Sequence, residues 1–403
     1  MDYLVIARKY RPQTFTEVSG QEVVARTLTN AITAKRLHHA YLFTGPRGVG
    51  KTSMARILAK ALCCTGPDDA GTGPTTTPCG TCQNCRMITD STHPDVAEID
   101  AARYNGVDAI RELSDNASFS PSLARFRIYV LDEVHMLSTP AWNALLKLLE
   151  EPPAHVRFIF ATTEADKVLP TVLSRVQRFD FRAIDLDDIV KRLREILVAE
   201  KVTLPDAILF RVARAAGGGM RDAQTLLDQL IAVAGGQVSE EDLNLLLGAA
   251  RGEDLQKIAG HLIAGEAAAA LTALDRVSAG GVAPGTLLDQ LVDHFRAIML
   301  VQACGIDSPV VRRLGNTSAD LEAQAKAATP EKAMRVCQIL IGSQQALRQG
   351  VDPRLQLELS FVRIAGLGQV ADVETLLKRL ERLEAGGAQA ASSGAGGKPS
   401  RPR

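Results

Sequence analysis

The stretch "AYLFTGPRGVGKTS", residues 40–53, decides the fold of the N-terminal part of this chain. Gly45 to Thr52 fits the pattern G-x-x-x-x-G-K-[ST], follows an apolar run that predicts a strand, and opens a run that predicts a helix. In such a loop the glycines let backbone N–H groups turn towards phosphate oxygens, the lysine reaches the β and γ phosphates, and the hydroxyl ligates Mg²⁺. The sequence therefore predicts a phosphate-binding loop formed by Gly45, Pro46, Arg47, Gly48, Val49, Gly50, Lys51, Thr52 and Ser53.

A second motif, "RIYVLDEVH" (residues 127–135), places two carboxylates at the end of an apolar strand. Ligands of open α/β sheets bind beyond the carboxyl ends of the strands, so both acids are expected to face the nucleotide. Asp132 would hold Mg²⁺ together with Thr52, and Glu133 would orient and deprotonate the attacking water. "FIFATT" ends another strand with Thr162 and Thr163, hydroxyls able to sense a γ-phosphate, although threonine is common in strands.

Five cysteines follow the phosphate loop closely, and four of them are enough for a metal site. Cys79, Cys82 and Cys85 form two overlapping C-x-x-C steps, and either Cys63 or Cys64 supplies a fourth thiolate. Four sulfurs in this pattern suit tetrahedral Zn²⁺ and fill every position, which predicts a structural rather than a catalytic site. Iron–sulfur ligation and a catalytic redox pair are the alternatives. Spacing alone does not choose between the adjacent cysteines.

Composition excludes some classes of protein. A chain of 403 residues is long enough for two or three domains. Lys+Arg and Asp+Glu balance at 46 each, so net charge predicts no partner. No run of residues approaches the roughly 18 to 20 apolar residues of a membrane span, and the apolar core of "MDYLVIARKYRP" is too short for a secretory signal. We expect a cytoplasmic protein that does not interact with membranes.

The periodicity of apolar residues changes along the chain. From about 40 to 181, β-rich runs alternate with helical ones, which predicts a parallel sheet flanked by helices. Within it, Thr139 is expected to cap a helix that has Pro140 at its first position. Apolar residues then recur at helical spacing in a small segment, about 182–236, and in a larger one, about 240–368. The last stretch, 369–403, is rich in Gly, Ala and Ser and predicts a disordered linker or tail.

Two arginines are ambiguous on their pattern alone. Arg175 follows a serine in "LPTVLSRVQRFDF", and Arg221 follows a glycine run in "GGGMRDAQ". Either could act on a nucleotide or be a solvated surface charge.

Taken together, "ARKYRPQTFTEVSGQE", "HAYLFTGPRGVGKTS", the four-cysteine module, "YVLDEVHMLS", "WNALLKLLEEPP", "FIFATT", "LPTVLSRVQRFDF" and "MRDAQTLLDQ" closely resemble the γ/τ subunit family of the bacterial DNA polymerase III clamp loader. The resemblance covers roughly residues 3–368. It implies a RecA-like AAA+ ATPase core at 1–181 with a zinc module at 63–86, a three-helix lid at 182–238 and an all-α helical collar at 239–368. A linker or tail follows at 369–403.

The resemblance also implies roles for individual residues, with ATP as the nucleotide. In the family the first zinc ligand falls thirteen residues after the loop lysine, which selects Cys64 over Cys63. Arg175 matches the arginine that reaches into the neighbouring subunit's ATP site, although Val176 stands where that motif has cysteine. Arg221 matches the sensor arginine that the lid presents to its own nucleotide. The residues that match the adenine pocket are Tyr10, Arg11, Pro12 and Val18.

The function implied is that of an ATP-driven motor that opens a ring-shaped sliding clamp and places it on primer-template DNA during replication. The partners implied are δ, δ′ and further γ/τ copies in a five-subunit ring, and the polymerase through a longer C-terminal form. A non-hydrolysing scaffold subunit of the same complex is the main alternative, but such a subunit may lose its lysine or its metal-binding residues, and Lys51, Thr52, Asp132 and Glu133 are all present. A nucleotide kinase with a zinc-bound lid does not fit the helical C-terminal half or the "LDEVH" motif.

Overall fold

The computed structural model of the chain describes residues 4–68, 73–234, 238–312 and 319–368. The chain divides into two compact units, Met1–Leu243 and Asn244–Arg403. The predicted tail, 369–403, lies outside the described residues, and so do residues 69–72 within the predicted zinc module.

The first unit is built on a five-stranded sheet with strand order β2-β3-β4-β1-β5. All four strand pairs are parallel, and their register aligns Thr44 with Thr162 and Asp100 with Asp132. The carboxyl ends of the strands therefore meet at one edge, where ligands of such sheets bind. The strands are β1 (Ala40–Thr44), β2 (Val96–Asp100), β3 (Arg127–Asp132), β4 (Val156–Thr162) and β5 (Gln177–Asp180).

Helices cover both faces of this sheet. The central strands are apolar on both faces, as a parallel sheet between two helical layers requires, and every residue of β1 is buried. The predicted α/β class with a parallel sheet is therefore confirmed. The helices along this part of the chain are α1 (Ile6–Lys9), α2 (Glu22–Thr33), α3 (Lys51–Cys63), α4 (Gln83–Thr89), α5 (Val107–Ala117), α6 (Thr139–Glu150) and α7 (Pro170–Leu173).

One predicted helix start is wrong by one residue. Helix α6 begins at Thr139, and its N-cap is Ser138, whose hydroxyl accepts the Ala141 N–H at 3.4 Å. Ser138 has the extended backbone (φ −66°, ψ 153°) that an N-cap requires, whereas Thr139 already lies inside the helix. Pro140 lies in the first turn, where a missing N–H costs no hydrogen bond.

The rest of the described chain is helical, as predicted. Three helices follow the sheet within the first unit, and the next one spans the division between the units: α8 (Leu186–Glu200), α9 (Asp206–Ala215), α10 (Met220–Ala234) and α11 (Glu240–Leu247). The helices of the second unit are α12 (Gly252–Ala264), α13 (Ala267–Ala279), α14 (Pro284–Cys304), α15 (Pro309–Arg312), α16 (Ala319–Ala327), α17 (Pro330–Arg348) and α18 (Pro353–Ala365).

The second unit has its own apolar core. Helix α14, 21 residues long, runs through it and buries Phe295 and Ile298 against Leu340 of α17 and Phe361 of α18. Across the described parts of both units, no helix combines the length and the apolar character that crossing a bilayer demands. The division of the chain into core, lid and collar at 181/182 and 238/239 stays a prediction.

Candidate functional site

The predicted phosphate loop connects β1 to α3, and α3 begins directly at Lys51. The backbone of Gly45 has φ 143°, a value that side chains rarely allow. A Cβ at this position would lie 2.3 Å from the carbonyl oxygen of Phe181, so the loop can pack against the chain after β5 only with glycine here. The sequence thus folds into a glycine-rich loop that leads directly into a helix N-terminus, the arrangement that binds phosphate.

Lys51 is held inside this loop. Its side chain is buried, and its ammonium donates to the carbonyls of Gly45 at 2.8 Å and Pro46 at 2.7 Å. Burial lowers the pKa of this lysine, while the nearby carboxylates of Glu133 and Asp132 favour its charged form. The loop carbonyls therefore fix a cation where phosphate would bind.

Thr52 and Asp132, the two residues predicted to hold magnesium, are in contact. The threonine hydroxyl donates to Oδ2 of Asp132 at 2.8 Å, and Oδ1 of Asp132 accepts the Glu133 N–H at 3.0 Å. A hydroxyl beside a carboxylate is a set of hard oxygen ligands of the kind that Mg²⁺ prefers. These residues fit the ion that the phosphate loop implies.

Glu133 directly follows β3 in a left-handed backbone conformation (φ 49°, ψ 46°) that is uncommon for non-glycine residues and concentrated at functional sites. Its Oε2 accepts from the Thr163 hydroxyl at 3.2 Å and from the Thr163 N–H at 3.4 Å. Thr162, the other predicted sensor, instead bonds its hydroxyl to Nδ1 of His135 at 2.9 Å. The structure thus brings Thr163, rather than Thr162, to the carboxylate.

Lys51, Thr52, Asp132 and Glu133 line one cavity of about 680 Å³ in the first unit, whereas Gly45, Pro46 and Thr163 do not line it. Its size lies within the range of about 300–1,000 Å³ typical of small-molecule sites. The predicted site residues that line it are Tyr10, Arg11, Pro12, Val18, Arg47, Gly48, Val49, Gly50, Lys51, Thr52, Ser53, Asp132, Glu133 and Arg221.

Two of the three helices after the sheet, α8 and α10, contribute to the wall of this cavity. The Arg221 N–H at the start of α10 donates to the Gly48 carbonyl at 3.3 Å, which brings α10 onto the phosphate loop. On the other side, the Tyr10 hydroxyl donates to Glu200 of α8 at 2.7 Å, and Arg192 of α8 donates to the Tyr10 carbonyl at 3.4 Å. The N-terminal segment and the helices therefore hold each other over the loop.

Sequence reasoning missed part of the cavity wall. Ile184, Arg192, Met220 and Gln224 also line it. Arg192 and Gln224 belong to amphipathic helices in which a polar residue reads as an ordinary solvated position, so no local signal marked them.

Arg175 is not brought into this cavity. It follows α7, where its guanidinium pairs with Glu150 at 2.9 Å and donates to the Thr171 carbonyl at 2.7 Å. About a third of its side chain is exposed, at 35%. Arg175 therefore lies on the surface of the chain, away from the chain's own phosphate loop.

The cysteine cluster lies beyond the C-terminal end of α3. The sulfurs of Cys64, Cys79, Cys82 and Cys85 all lie within 4.8 Å of one another, and those of Cys64 and Cys79 are 3.6 Å apart. A tetrahedral zinc site with Zn–S bonds of about 2.3 Å has sulfurs about 3.8 Å apart. The four thiols therefore fit Zn²⁺ with every position filled.

Backbone N–H groups point at these sulfurs, as expected for thiolates. Cys79 donates to Cys64 at 3.4 Å, Cys82 to Cys79 at 3.3 Å, and Cys85 to Cys82 at 3.4 Å. Burial raises the pKa of Cys79, but this is outweighed by the Cys82 N–H and by donors from Thr81, so that the pKa falls to about 6.

Cys63 does not join the cluster. Its thiol packs in the core between α3 and the sheet, 3.9 Å from the Phe126 carbonyl, and burial raises its pKa to about 12. It therefore remains a neutral thiol. The geometry favours Cys64 as the fourth ligand, as the resemblance implied.

Comparison with known protein families gives three consecutive matches. The "DNA polymerase III, delta subunit" family matches residues 20–185. The "DNA polymerase III clamp loader subunit, ATPase lid domain" family matches residues 188–236. The "DNA polymerase III subunits gamma and tau domain III" family matches residues 238–380.

Individual relatives agree. The chain is 39% identical to the DNA polymerase III subunit tau of Bacillus subtilis over 391 residues, which cover 95% of this chain and 68% of the relative. It is 40% identical to the tau subunit of Escherichia coli over 367 residues, covering 90% of this chain and 55% of that one. The chain thus spans about half to two thirds of the length of these relatives.

Among solved structures, a RuvB Holliday junction branch migration motor of Thermotoga maritima is 17% identical with a TM-score of 0.43, covering 63% of this chain and 79% of that one. The sequence identities and the family matches along the chain agree on one assignment. The chain belongs to the gamma/tau family of DNA polymerase III subunits, and it carries the ATPase lid domain of the clamp loader subunits.

Proposed function

We propose that this chain binds ATP in the cavity of its first unit and hydrolyses it to open a ring-shaped sliding clamp and place it on primer-template DNA. The observation that carries this proposal is the contact between Thr52 and Asp132 beside Glu133 and the buried Lys51, around one cavity. A non-hydrolysing scaffold subunit would not need this set intact.

The residues at the cavity have different roles in this proposal. The N–H groups of the phosphate loop and Lys51 bind the β and γ phosphates, and Thr52 and Asp132 hold Mg²⁺, which neutralises charge on the phosphates when bound. Glu133 accepts the proton of the attacking water, and Thr163 orients its carboxylate.

The two arginines act from different subunits in this proposal. Arg221 lies in the cavity wall and serves the chain's own nucleotide. Arg175, about a third exposed and paired with Glu150, serves the nucleotide of a neighbouring subunit. Tyr10, Arg11, Pro12 and Val18 contact the adenine.

The remaining parts hold the assembly together. Cys64, Cys79, Cys82 and Cys85 bind a structural zinc ion, since four thiolates leave no position for a substrate. Residues 239–368 form the collar that joins this chain to δ, δ′ and further γ/τ copies in a five-subunit ring, and a longer form would add contacts with the polymerase.

Glu133→Gln tests this function in a ring reconstituted with δ, δ′ and the clamp. The variant should bind ATP like the wild type, while ATP hydrolysis falls roughly 10²- to 10⁴-fold because the amide cannot take a proton. Glu112→Gln, the same exchange at an exposed position of α5, is the control.

The measurements are steady-state ATP hydrolysis and the transfer of labelled clamp to primed circular DNA. A wild-type ring that transfers clamp without consuming ATP, or a Glu133→Gln ring as active as the wild type, would overturn the proposal in favour of a scaffold role.

A further inference from the structure

His135, the last residue of the "LDEVH" motif, lies beside Glu133 and has no role in the function proposed above. It belongs to a short 3-10 helix, Val134–Met136, directly after β3. Only 8% of its side chain is exposed. A histidine this deeply buried, one residue removed from the proposed general base, requires an account of its polar contacts.

Both ring nitrogens of His135 face polar partners. Nδ1 lies 2.9 Å from the Thr162 hydroxyl and 3.4 Å from Oε2 of Glu133. Nε2 lies 3.2 Å from Oε1 of Glu164. The ring thus lies between two carboxylates, of which one is the proposed base and the other belongs to the turn after β4. It serves both of them only when each ring nitrogen carries a hydrogen, because a carboxylate accepts and a neutral imidazole has a single N–H.

Glu164, which contacts Nε2 of the ring, is itself held by other residues. The other carboxylate oxygen of Glu164 pairs with Lys167 at 2.8 Å, and the Glu164 N–H donates to the Thr162 hydroxyl at 3.0 Å. The end of β4 therefore fixes the imidazole at both nitrogens, and the ring cannot turn away from Glu133 without losing contacts to Glu164 and Thr162.

The contacts at Glu133 converge on one oxygen. The Thr163 hydroxyl, the Thr163 N–H and Nδ1 of His135 all face Oε2, at 3.2, 3.4 and 3.4 Å. This convergence makes Oε1 the oxygen suited to accept a proton. Without these contacts, a glutamate side chain that is 34% exposed would sample several rotamers.

We propose that His135 is a positioning residue for ATP hydrolysis. It is anchored at Glu164, and it holds Oε2 of Glu133 together with Thr163, so that Oε1 points at the attacking water. In the reaction, the water oxygen bonds to the γ-phosphorus as its proton passes to Oε1, and the bond to the β-phosphate bridging oxygen breaks with its electron pair leaving on ADP. This inference rests on the proposed function, because it assumes that Glu133 is the base.

Two conservative exchanges of His135 test the contributions of its two ring nitrogens separately. The amide nitrogen of an asparagine falls near the position of Nδ1, and that of a glutamine near the position of Nε2. His135→Gln should lower kcat roughly 10- to 100-fold, as loss of an orienting partner does, with KM and the Kd for ATP unchanged. His135→Asn should be faster than His135→Gln and recover part of the rate, because it still reaches Glu133 although it no longer contacts Glu164.

The matched control is His155→Gln. That histidine is also partly buried, and its Nε2 faces the Ala117 carbonyl at 3.1 Å, away from the cavity. This variant should hydrolyse ATP at the wild-type rate. Thermal unfolding and ATP binding are measured on every variant, so that a general loss of folding is not read as a loss of positioning.

One double variant and one further single variant distinguish a positioning role of His135 from a merely structural one. In the Glu133→Gln background the base is already lost, so His135→Gln should cause no further fall in kcat. Glu164→Ala releases the anchor from a side chain that is 42% exposed, and it should lower kcat in the same direction without unfolding the chain.

The outcomes separate this inference from the proposed function. If Glu133→Gln abolishes hydrolysis while His135→Gln and Glu164→Ala keep the wild-type kcat, the positioning role is wrong and the function stands. The role is also wrong if His135→Asn is as slow as His135→Gln, or if His135→Gln slows the Glu133→Gln protein by its full factor. If Glu133→Gln itself keeps the wild-type rate, the proposed function fails first.

Discussion

The two ends of helix α3 carry the two candidate sites, and they are built in opposite ways. At its N-terminus, Lys51 and Thr52 face a cavity of about 680 Å³ whose walls come from the N-terminal segment, β3 and α10. Beyond its C-terminus, four sulfurs lie within 4.8 Å of one another, with cysteine N–H groups pointing at them.

The difference separates a site that exchanges ligands from one that holds the fold. The cysteine end is filled by its own chain, because four thiolates complete a tetrahedral metal and nothing else needs to enter. The phosphate-loop end is open. Arg175 of the same chain lies away from it on the surface, and we assign this arginine to the nucleotide of a neighbouring subunit. An open site of this kind is suited to control by a neighbouring subunit.

The largest effect is expected from removing Arg175, the arginine that we propose acts on the nucleotide of the neighbouring subunit. Arg175→Ala should leave ATP binding intact and lower the clamp- and DNA-stimulated hydrolysis of the assembled ring by about 10³- to 10⁵-fold, because such an arginine stabilises charge that develops on the transferring phosphoryl group. Arg178→Ala removes a neighbouring cation on β5 that pairs with Asp180, and it is the control.

Mixed rings decide whether the open end is completed from outside. Lys51→Ala should weaken ATP binding itself. When Arg175→Ala and Lys51→Ala subunits are combined, some interfaces regain an intact loop facing an intact arginine, and part of the hydrolysis should return. Mixed rings that assemble but stay as inactive as either variant alone would mean that Arg175 serves its own chain.

A smaller effect is expected at the closed end. Cys79→Ser should remove zinc and lower the free energy of unfolding by about 4 kcal/mol, since loss of a structural metal is among the most destabilising single changes. Metal analysis should find one Zn²⁺ per chain in the wild type and in Cys63→Ser, because Cys63 packs in the sheet core. Zinc loss from Cys63→Ser with zinc retained in Cys79→Ser would reverse the ligand assignment.

Motifs contained within short stretches of chain were the parts that the sequence could predict. The phosphate loop, the acids after β3 and the cysteine steps each depend on spacings of a few residues, and the structure gathers them as expected around the cavity and the cluster. The parallel sheet was also predictable, because its strands are continuous apolar runs between helical segments.

What the sequence did not reveal depends on contacts between distant segments. Arg192 reaches the cavity only because α8 packs beside the N-terminal segment, and its own helix has an ordinary amphipathic pattern. His135 was visible within a motif, but its contact with Glu164 requires β3 and β4 to be neighbours. Ser138 and Thr139 both belong to the residue types that cap helices, and the backbone conformation identifies Ser138 as the N-cap.

The smallest effect is expected from a residue beside the cysteine cluster, Asn84, and it tests whether the four thiolates hold the metal without support from neighbouring side chains. Asn84 is buried in α4 between two cluster cysteines, and its amide donates to the Cys63 carbonyl at 2.7 Å. Its Oδ1 lies 3.1 Å from Nε2 of His93, whose Nδ1 accepts the Asp95 N–H at 3.0 Å. Because Nδ1 accepts, Nε2 carries the hydrogen that His93 donates to Asn84, and burial lowers the pKa of His93 in keeping with this neutral ring.

Asn84→Ala removes both hydrogen bonds and leaves the Cys63 carbonyl and the His93 N–H unsatisfied inside the protein. We expect a loss of about 1–3 kcal/mol in the free energy of unfolding, measured by chemical denaturation. Gln83→Ala, an exposed position of the same helix, should change little. The zinc content and kcat of Asn84→Ala should equal those of the wild type, because the thiolates and the cavity keep their own partners. Loss of zinc from this variant would show that the cysteine end depends on the same kind of outside support as the phosphate-loop end, and the contrast between the two ends of α3 would not hold.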